Sequence, residues 1–591
     1  MKLEHSISKD YLPYKKLSLI LTISFFIITA YVAFFHHTSW IVDEDGMMYL
    51  HAGEEILQGN GKNIKLFDAP YGGPIFFAFV NSFFNEGFVV MKVISLLAGS
   101  GSVYLAYKIL NNVTKSRTAF LGQIFFAFHP FVGFFSIQAE IDMFPILFSM
   151  GSLYFITKKE LNFLDVIFFA FFIGISFMIR TQAIVILITG IIFLIIYFKQ
   201  DFRKNITYSL IISLIFMITI SPLIYYNVST HNVLFDHDTT FFYQFSSFYQ
   251  TPEWKNQIVE IAQNGDGFLK AVFVDFDLFL KNYFHNLFYN SPNKFFNFFD
   301  KTNVSLIPAI PLLSMIPMLG GLTYICKTFN KKYSKNILPL LLLPFIFCLI
   351  TSVVHLNSGE QFLMTWISIS VISAIFFSDF IPNIILKQRI HEKKYVISSK
   401  KILIISIIVL ILLSNVGYSY VMFRATSSYQ AFDNVSKEIE LLMTPESVIK
   451  RGMIVNEIWE KISDDPDIKN SYVMVPQFHF VPYGEANFVR VMFNEGPNND
   501  TIENYLTREN WKPTELFHSN IHSVPMDRLD LNHPIPKYII HVDRNIDGKQ
   551  HDFLKILNDP LNKEIPSNFE NIYFSKEHRI SVYKINEIDG M

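Results

Sequence analysis

The feature that most constrains this 591-residue chain is a series of apolar blocks, most of them long enough to cross a lipid bilayer. The first runs from Leu17 to Phe35 and the last from Ile402 to Val421. A helix needs about 20 apolar residues to span the hydrocarbon core. Only 17% of the residues are charged, whereas ordinary globular domains have about 25%. The sequence therefore predicts a polytopic α-helical membrane protein.

Apolar windows give eleven candidate spans, which we expect to be helices because lipid leaves no other partner for backbone polar groups. The fourth and fifth are short, so we expect them to pack inside protein or to lie where the bilayer thins. The approximate limits of the spans are 17–37, 88–107, 118–135, 143–157, 163–179, 182–198, 206–224, 305–325, 337–354, 361–378 and 402–422.

Lys and Arg are distributed unevenly between the predicted loops. The loops around 108–117, 158–159, 199–204, 327–335 and 387–401 are basic, whereas 136–142 and 355–360 contain neither residue type. Because basic loops stay in the cytoplasm, the N-terminus is predicted to be cytoplasmic. In this multi-pass protein of the cell membrane, the loops 38–87 and 225–304 and the chain after Arg424 are then predicted to be extracytoplasmic.

The composition of the chain changes after the last predicted span. Residues 425–591 have ordinary charge and short apolar runs, SYVMVPQ, NFVRVMF, KYIIHVD and RISVYKI, which alternate with helical patterns. This predicts a soluble extracytoplasmic α/β domain at 425–591, after a transmembrane domain at 1–424. The net charge of −2, with no basic patch among aromatic residues, predicts no nucleic-acid partner.

The loop 225–304 contains an aromatic run, FLKAVFVDFDLFLKNYFHNLFYN, with sparse charges. Such a run is typical of a helix in the membrane interface, with Phe and Tyr at headgroup level. A strand-and-loop insertion packed on the outer domain is the alternative.

Three adjacent carboxylates, Asp43, Glu44 and Asp45, follow the first predicted span. Charges at the edge of the hydrocarbon are costly, so this cluster indicates a functional site. The same residues also precede the helical pattern GMMYLHAGEEILQ, where acidic groups favour the helix dipole. Two carboxylates spaced as Asp43 and Asp45 are also able to share a divalent cation, Mg²⁺ or Mn²⁺.

Charges occur at two more places on the predicted outer face. Glu140 and Asp142 lie in a very short turn between the third and fourth spans, and Arg180 is embedded in the apolar stretch FMIRTQAIV. A lone Arg can extend to lipid headgroups. Because an acidic cluster lies on the same face, the position fits an anion-binding role equally well.

The order of these motifs resembles that of the GT-C superfamily membrane glycosyltransferases. The acidic motif and Tyr49, followed by HAGEEILQGNG and APYGGPIFFAFVNSFF, are similar to the first external loop of the family 39-like branch. That branch includes the dolichyl-phosphate-mannose protein mannosyltransferases and the lipid A aminoarabinose transferase. The late segment SGEQFLMTWISISVISA also resembles a family segment, and the resemblance covers about residues 15–425. Tyr226 and Gln361 stand where the family commonly has Arg.

This resemblance implies an enzyme that moves a sugar from a polyprenyl-phosphate-linked donor in the membrane lipid to a protein, lipid or glycan acceptor on the outer face. Such enzymes act in protein glycosylation and in building the cell envelope. The catalytic carboxylate would be Asp43 or Asp45, with Glu44 beside it; register with the Tyr favours Asp45 and the Asp-Glu pairing favours Asp43. Arg180 would hold the donor phosphate. The residues expected to bind substrate are Tyr49, Glu140, Asp142, Arg180, Glu360 and Gln361.

Two other classes of protein fit the composition. A transporter or flippase with an external domain would have inverted repeats and broken helices at the membrane midplane. The sequence shows no convincing internal repeat, and its unusual charges gather at one face. A non-catalytic cell-envelope assembly protein, with the tail as an external binding domain, is the other alternative.

Overall fold

The computed structural model of the chain is helical in its first two thirds and ends in a β-sheet. It describes residues 14–36, 49, 52–53, 56–57, 59, 70–84, 87–138, 140–197, 202–231, 272–291, 309–333, 335–353, 360–382, 458, 461–462, 472–475, 487–490, 515–518, 521–524, 536–542, 556–576 and 580–586.

Thirteen α-helices are described within those ranges. Short 3₁₀ or π-helical turns extend several of them, among them Val32–His36, Thr181–Ala183 and Glu360–Thr365. The α-helices are α1 Tyr14–Tyr31, α2 Gly72–Phe84, α3 Gly87–Val113, α4 Ser116–Ala127, α5 Pro130–Ile137, α6 Met143–Ile156, α7 Phe163–Ile179, α8 Ile184–Tyr197, α9 Phe202–His231, α10 Phe276–His285, α11 Ala309–Lys332, α12 Leu338–Thr351 and α13 Trp366–Ile375.

Each predicted span from 17–37 to 361–378 coincides with helix in this structure. Four of the described helices are long and apolar enough to cross a membrane, those at Tyr14–Phe34, Val89–Val113, Phe202–Thr230 and Leu363–Phe380. The predicted span 402–422 lies outside the described residues, so the number eleven stays a prediction. The aromatic run of the loop 225–304 contains helix α10, as the interfacial-helix interpretation requires.

Helix α2 lies within the predicted external loop 38–87. It is apolar along its sequence GGPIFFAFVNSFF, but its 13 residues are too few to register as a membrane span. Its first turn packs beside the candidate site described below.

The third predicted span, 118–135, is two helices rather than one. Helix α4 ends at Ala127 and α5 begins at Pro130, which cannot donate a backbone hydrogen bond to the preceding helix. At the break, Trp366 Nε1 donates to the Phe125 carbonyl at 3.4 Å. The indole also packs on His129, with ring centroids 3.9 Å apart, so protein fills the interruption.

Helices α6 and α7 form a closely packed antiparallel pair. Ser149 and Ser176 share a hydrogen bond of 2.9 Å, and Ser152 donates to the Phe169 carbonyl at 2.9 Å. Small and hydroxylated residues of this kind let membrane helices approach closely. At the connection between them, Asn162 and Asp165 form a reciprocal capping box, and Lys158 pairs with Asp165.

Asn336 joins three helices at the same end of the bundle. Its fully buried side chain donates to the Asn112 carbonyl at 3.1 Å and to the Thr157 carbonyl at 2.8 Å. Asn112 is in the last turn of α3 and Thr157 follows α6, where carbonyls have no partner within their own helix. One amide therefore satisfies two helix ends beside α12.

The chain ends in a seven-stranded mixed sheet of order β4-β3-β2-β1-β5-β7-β6. β1 is parallel to β2 and β5, and the other neighbours are antiparallel. The four predicted apolar runs contain β1, β2, β5 and β7. The strands are β1 Tyr472–Val475, β2 Asn487–Arg490, β3 Glu515–His518, β4 Ile521–Val524, β5 Pro536–Val542, β6 Phe569–Ser575 and β7 Ile580–Ile585.

Strand β5 lies inside the sheet, and its residues Tyr538 to His541 are all buried. Burial on both faces is the reason that the run is continuously apolar rather than alternating. In the adjacent β7, burial raises the pKa of Tyr583 to about 12. Its hydroxyl therefore stays protonated and donates to the Leu557 carbonyl at 2.9 Å.

We expect Asn336→Ala to lower the stability of the helical bundle. Loss of the amide leaves the buried Thr157 carbonyl and the partly buried Asn112 carbonyl without this donor. A buried unsatisfied group costs about 1–3 kcal/mol. The thermal midpoint of unfolding in detergent measures the effect. Ser116→Ala is the control, because its hydroxyl makes only an exposed bond to Asn111. Equal midpoints for the two variants would contradict the assignment.

Candidate functional site

The candidate site lies at the other end of the α6–α7 pair, around the turn that joins α5 to α6. Glu140 is 4% exposed and Gln138 is 1% exposed, which is unusual for polar residues in a turn. Ser95 of α3 donates to the Glu140 carbonyl at 2.8 Å. The turn is therefore part of the packed bundle and holds its acidic residues in defined positions.

Asp142 and Arg180 form an ion pair across this end. The Arg180 Nη2 donates to Asp142 Oδ1 at 2.7 Å, and the two side chains are 20% and 17% exposed, for Asp142 and Arg180 respectively. Arg180 follows the last residue of α7 with an extended backbone, φ −143° and ψ 120°, so the helix ends there and the side chain turns toward α6. A partly buried charge pair of this geometry is held much more firmly than a surface pair.

Tyr49 also lies beside the Arg180 guanidinium. The Arg180 Cζ lies 6.0 Å from the centroid of the Tyr49 ring, and Tyr49 is fully buried. A guanidinium over an aromatic face is attracted by the ring quadrupole. Tyr49 therefore helps to orient Arg180, as a residue of the substrate site would.

The first turn of α2 packs directly on the segment that carries Arg180. A Cβ added at Gly72 would lie 2.5 Å from the Met178 carbonyl oxygen, and one at Gly73 would lie 3.1 Å from Ile179 Cγ2 and 3.6 Å from Ile141 Cδ1. At Gly72 only glycine permits this approach, because the atom that a Cβ would overlap is a backbone carbonyl oxygen. The pair Gly72–Gly73 thus brings α2, the end of α7 and the acidic turn together.

Two tyrosines extend the site toward α9. Tyr71, 1% exposed, packs edge-to-face on Tyr226 with ring centroids 5.0 Å apart. Tyr226 stands where the resembled family commonly has Arg, and here its ring is an aromatic neighbour of the site. Sequence reasoning did not select Tyr71, and its position directly before the Gly-Gly-Pro stretch was the available signal.

The structure brings four of the predicted residues to one end of the bundle: Tyr49, Glu140, Asp142 and Arg180. Glu360 and Gln361 begin the 3₁₀ turn Glu360–Thr365, which packs on α5 and α6; their side chains lie outside the described part of the chain. The predicted catalytic residues Asp43, Glu44 and Asp45 also lie outside the described residues.

No group of three or more metal-ligating side chains occurs among the described residues. Asp43 and Asp45, the predicted cation ligands, lie outside the described residues. Within the described part of the site, the Asp142 carboxylate and the Arg180 guanidinium form an ion pair near the Tyr49 ring. A carboxylate and a fixed cation of this kind suit a reaction in which a hydroxyl loses a proton and a phosphate leaves.

Residues 68–226 match a family model described as dolichyl-phosphate-mannose-protein mannosyltransferase. The matched segment contains Glu140, Asp142 and Arg180, together with Gly72 and Tyr226. The resemblance stated from the sequence is confirmed over this part of the chain. No curated protein matches the sequence at a significant level.

The two ArnT structures share the fold over almost the whole chain. ArnT from Cupriavidus metallidurans bound to undecaprenyl phosphate matches with a TM-score of 0.54 and 11% identity, over 96% of this chain and 97% of that one. The same protein in the apo state gives 0.51 and 11% identity, over 95% and 97%. The Archaeoglobus fulgidus oligosaccharyltransferase tethered with an acceptor peptide gives 0.45 and 12% identity, over 79% and 62%. The ArnT matches confirm the GT-C-like helical fold.

We expect Gly72→Ala to disturb the site, because the new methyl group would overlap the Met178 carbonyl. Overpacking of this kind costs about 1–3 kcal/mol. Gly151→Ala is a matched control in α6: its added Cβ would meet Phe172 at 3.5 Å, an ordinary contact. Alanine is a better helix former by about 0.5–1 kcal/mol, so that variant should be at least as stable as wild type. Thermal midpoints compare the two, and a tolerated Gly72→Ala would refute the close approach.

Proposed function

We propose that the chain is an integral-membrane glycosyltransferase that moves a sugar from a polyprenyl-phosphate-linked donor to an acceptor. The observation that carries the proposal is the partly buried Asp142–Arg180 pair, seated against Tyr49 within the segment that matches the family model. The likeness to ArnT bound to undecaprenyl phosphate supports a polyprenyl phosphate as the carrier.

The reaction needs a base and a stabilised leaving group. The acceptor hydroxyl loses its proton to a carboxylate, and its oxygen forms a bond to the anomeric carbon of the sugar. The bond between that carbon and the phosphate oxygen breaks, and its electron pair stays on the polyprenyl phosphate. A single displacement of this kind inverts the anomeric centre.

Arg180 is proposed to bind the phosphate. A guanidinium presents five N–H donors in a fixed plane, so it can keep one on Asp142 Oδ1 and direct others to phosphate oxygens. The ring of Tyr49 and the bond to Asp142 fix that plane before the donor arrives. Preorganised positive charge of this kind stabilises the negative charge that develops on the leaving phosphate.

Asp43 or Asp45 is proposed as the base, with Glu44 beside it, and Glu140 and Asp142 as supporting carboxylates. A carboxylate within hydrogen-bond reach of the acceptor hydroxyl can take its proton as a general base. The same pair, Asp43 and Asp45, is proposed to hold a divalent cation through oxygen ligands. The remaining proposed substrate contacts are Glu360 and Gln361.

The proposed setting is the cell membrane, with the N-terminus in the cytoplasm. The domain of residues 425–591 would then face outward. This assignment follows from the distribution of basic loops. The isoprenoid tail of the donor would lie in the membrane lipid beside the bundle.

The broken span α4–α5 is a feature that a transporter would also have, since transporters often bind substrate at interrupted helices. Here the break is filled: Trp366 donates to Phe125 and its ring packs on His129. The Asp142–Arg180 pair instead lies at the end of the bundle. These features favour the transferase.

Asp142→Asn and Arg180→Gln should each lower the rate of donor consumption by about 100-fold or more, because each removes one half of the charged site. Reconstituted protein supplied with labelled polyprenyl-phosphate sugars gives the rate. Native mass spectrometry gives the affinity for undecaprenyl phosphate, which Arg180→Gln should weaken. Lys158→Gln and Asp165→Asn alter the ion pair at the opposite end of the same helices and are the matched controls. If Lys158→Gln and Asp165→Asn lower the rate per folded molecule as much as Asp142→Asn and Arg180→Gln do, the assignment is wrong.

The double substitution Asp43→Asn/Asp45→Asn should abolish sugar transfer, because it removes both candidate bases. Glu54→Gln/Glu55→Gln, in the same predicted loop, is the control and should retain it. Treating the wild type with EDTA and restoring Mg²⁺ or Mn²⁺ separates a cation-holding role from a base role, since only the first requires the metal. Undiminished transfer in the double variant would reject the assignment.

A further inference from the structure

Lys92 is a buried cation that has no role in the reaction described above. It lies in α3, in the apolar sequence GFVVMKVISLL, and is 2% exposed. Burying an ammonium group in an apolar bundle is costly, and replacement of buried ionic groups by apolar ones is often neutral or stabilising. A lysine kept at such a position therefore indicates a task other than stability.

The contact of Lys92 is with the end of helix α1. Its Nζ donates to the Ala33 carbonyl at 3.0 Å. Ala33 is fully buried and belongs to the π-helical turn Val32–His36 that follows α1. Carbonyls at a helix end lack a partner in their own helix, and the helix dipole favours a cation there. The Lys92 side chain thus donates to a carbonyl just beyond the C-terminal end of α1.

The face of α3 that carries Lys92 also contacts the turn of Glu140 and Asp142. Ser95 follows Lys92 by three residues and Gly99 follows Ser95 by four, which places all three on one side of the helix. Ser95 donates to the Glu140 carbonyl at 2.8 Å, and Gly99 lets α3 approach Ser136 of α5. The end of α1 touches the turn as well, since Ala33 and Ile137 form one buried apolar cluster.

From this geometry we propose that Lys92 is a positioning residue. It fixes the end of α1 on the face of α3 that contacts the turn of Glu140 and Asp142. From the end of α1 the chain continues to Asp43–Asp45. The inference rests on the proposed function, because the alignment serves two acidic segments of one site. A misplacement of about 1 Å at such a site can lower the rate about 100-fold.

The test compares Lys92→Met with Lys92→Arg. Methionine has similar length but donates no hydrogen bond, whereas arginine keeps the charge and can still donate to Ala33. Lys108→Met is the matched control, in the same helix, where the ammonium lies near the Tyr104 ring. Spin labels at Phe34→Cys and Val89→Cys, both on exposed side chains, report the distance between the end of α1 and α3. The two native cysteines are first replaced as Cys326→Ser and Cys348→Ala.

We expect Lys92→Met to broaden the distance distribution between the labels and to lower kcat about 100-fold, with little change in KM for the donor or in thermal midpoint. Lys92→Arg should restore a narrow distribution and most of kcat, and Lys108→Met should change neither.

A narrow distribution in Lys92→Met would overturn the positioning role whether or not the protein transfers sugar. A broadened distribution with full activity would overturn its link to the site. Loss of thermal stability with unchanged kcat per folded molecule would make Lys92 purely structural. If the wild type consumes no donor, the proposed function fails, and the distance measurement still decides whether Lys92 holds α1 in place.

Discussion

The constraint on which the whole structure depends is that a helix end inside an apolar bundle exposes carbonyl groups that must find donors. In this chain the donors are side chains from other helices. Asn336 donates to carbonyls at the ends of α3 and α6, Trp366 to a carbonyl at the break after α4, and Lys92 to a carbonyl at the end of α1. Each donor also fixes the relative position of the helices it joins. The polar groups that satisfy the backbone therefore determine where the candidate site is assembled.

Much of the helical part was predictable from sequence, because a membrane imposes a minimum length on each apolar run. The spans α3, α7 and α9 coincide with such runs. Helix α2 was not predictable in this way, since 13 apolar residues do not reach that length. Nor was the break at Pro130, because the apolar run continues through it. In the sheet, the short strands β3 and β4 have no distinct apolar run in the sequence, whereas the buried strand β5 has one.

For the site, sequence identified the unusual groups but not how they pair. Asp142 and Arg180 were selected because charges are rare in apolar surroundings, and resemblance to a family selected Tyr49. Their mutual contacts depend on how α6 and α7 pack, which a linear pattern does not contain. Lys92 carried the same signal as Arg180, a charge inside an apolar run, yet it was overlooked because it lay within a predicted span. The Ala33 carbonyl that accepts its hydrogen bond, just after α1, leaves no trace in the sequence.

The pairing of Asp142 with Arg180 also bears on how the protein is inserted into its membrane. In the predicted orientation Arg180 is a basic residue in a short outer connection, a location that membrane insertion disfavours for Lys and Arg. Asp142 lies at the open end of the same helical hairpin, so the two charges can neutralise each other as α6 and α7 come together. The carboxylate would then act during biogenesis as a counter-ion that permits an arginine to cross, before any substrate is bound.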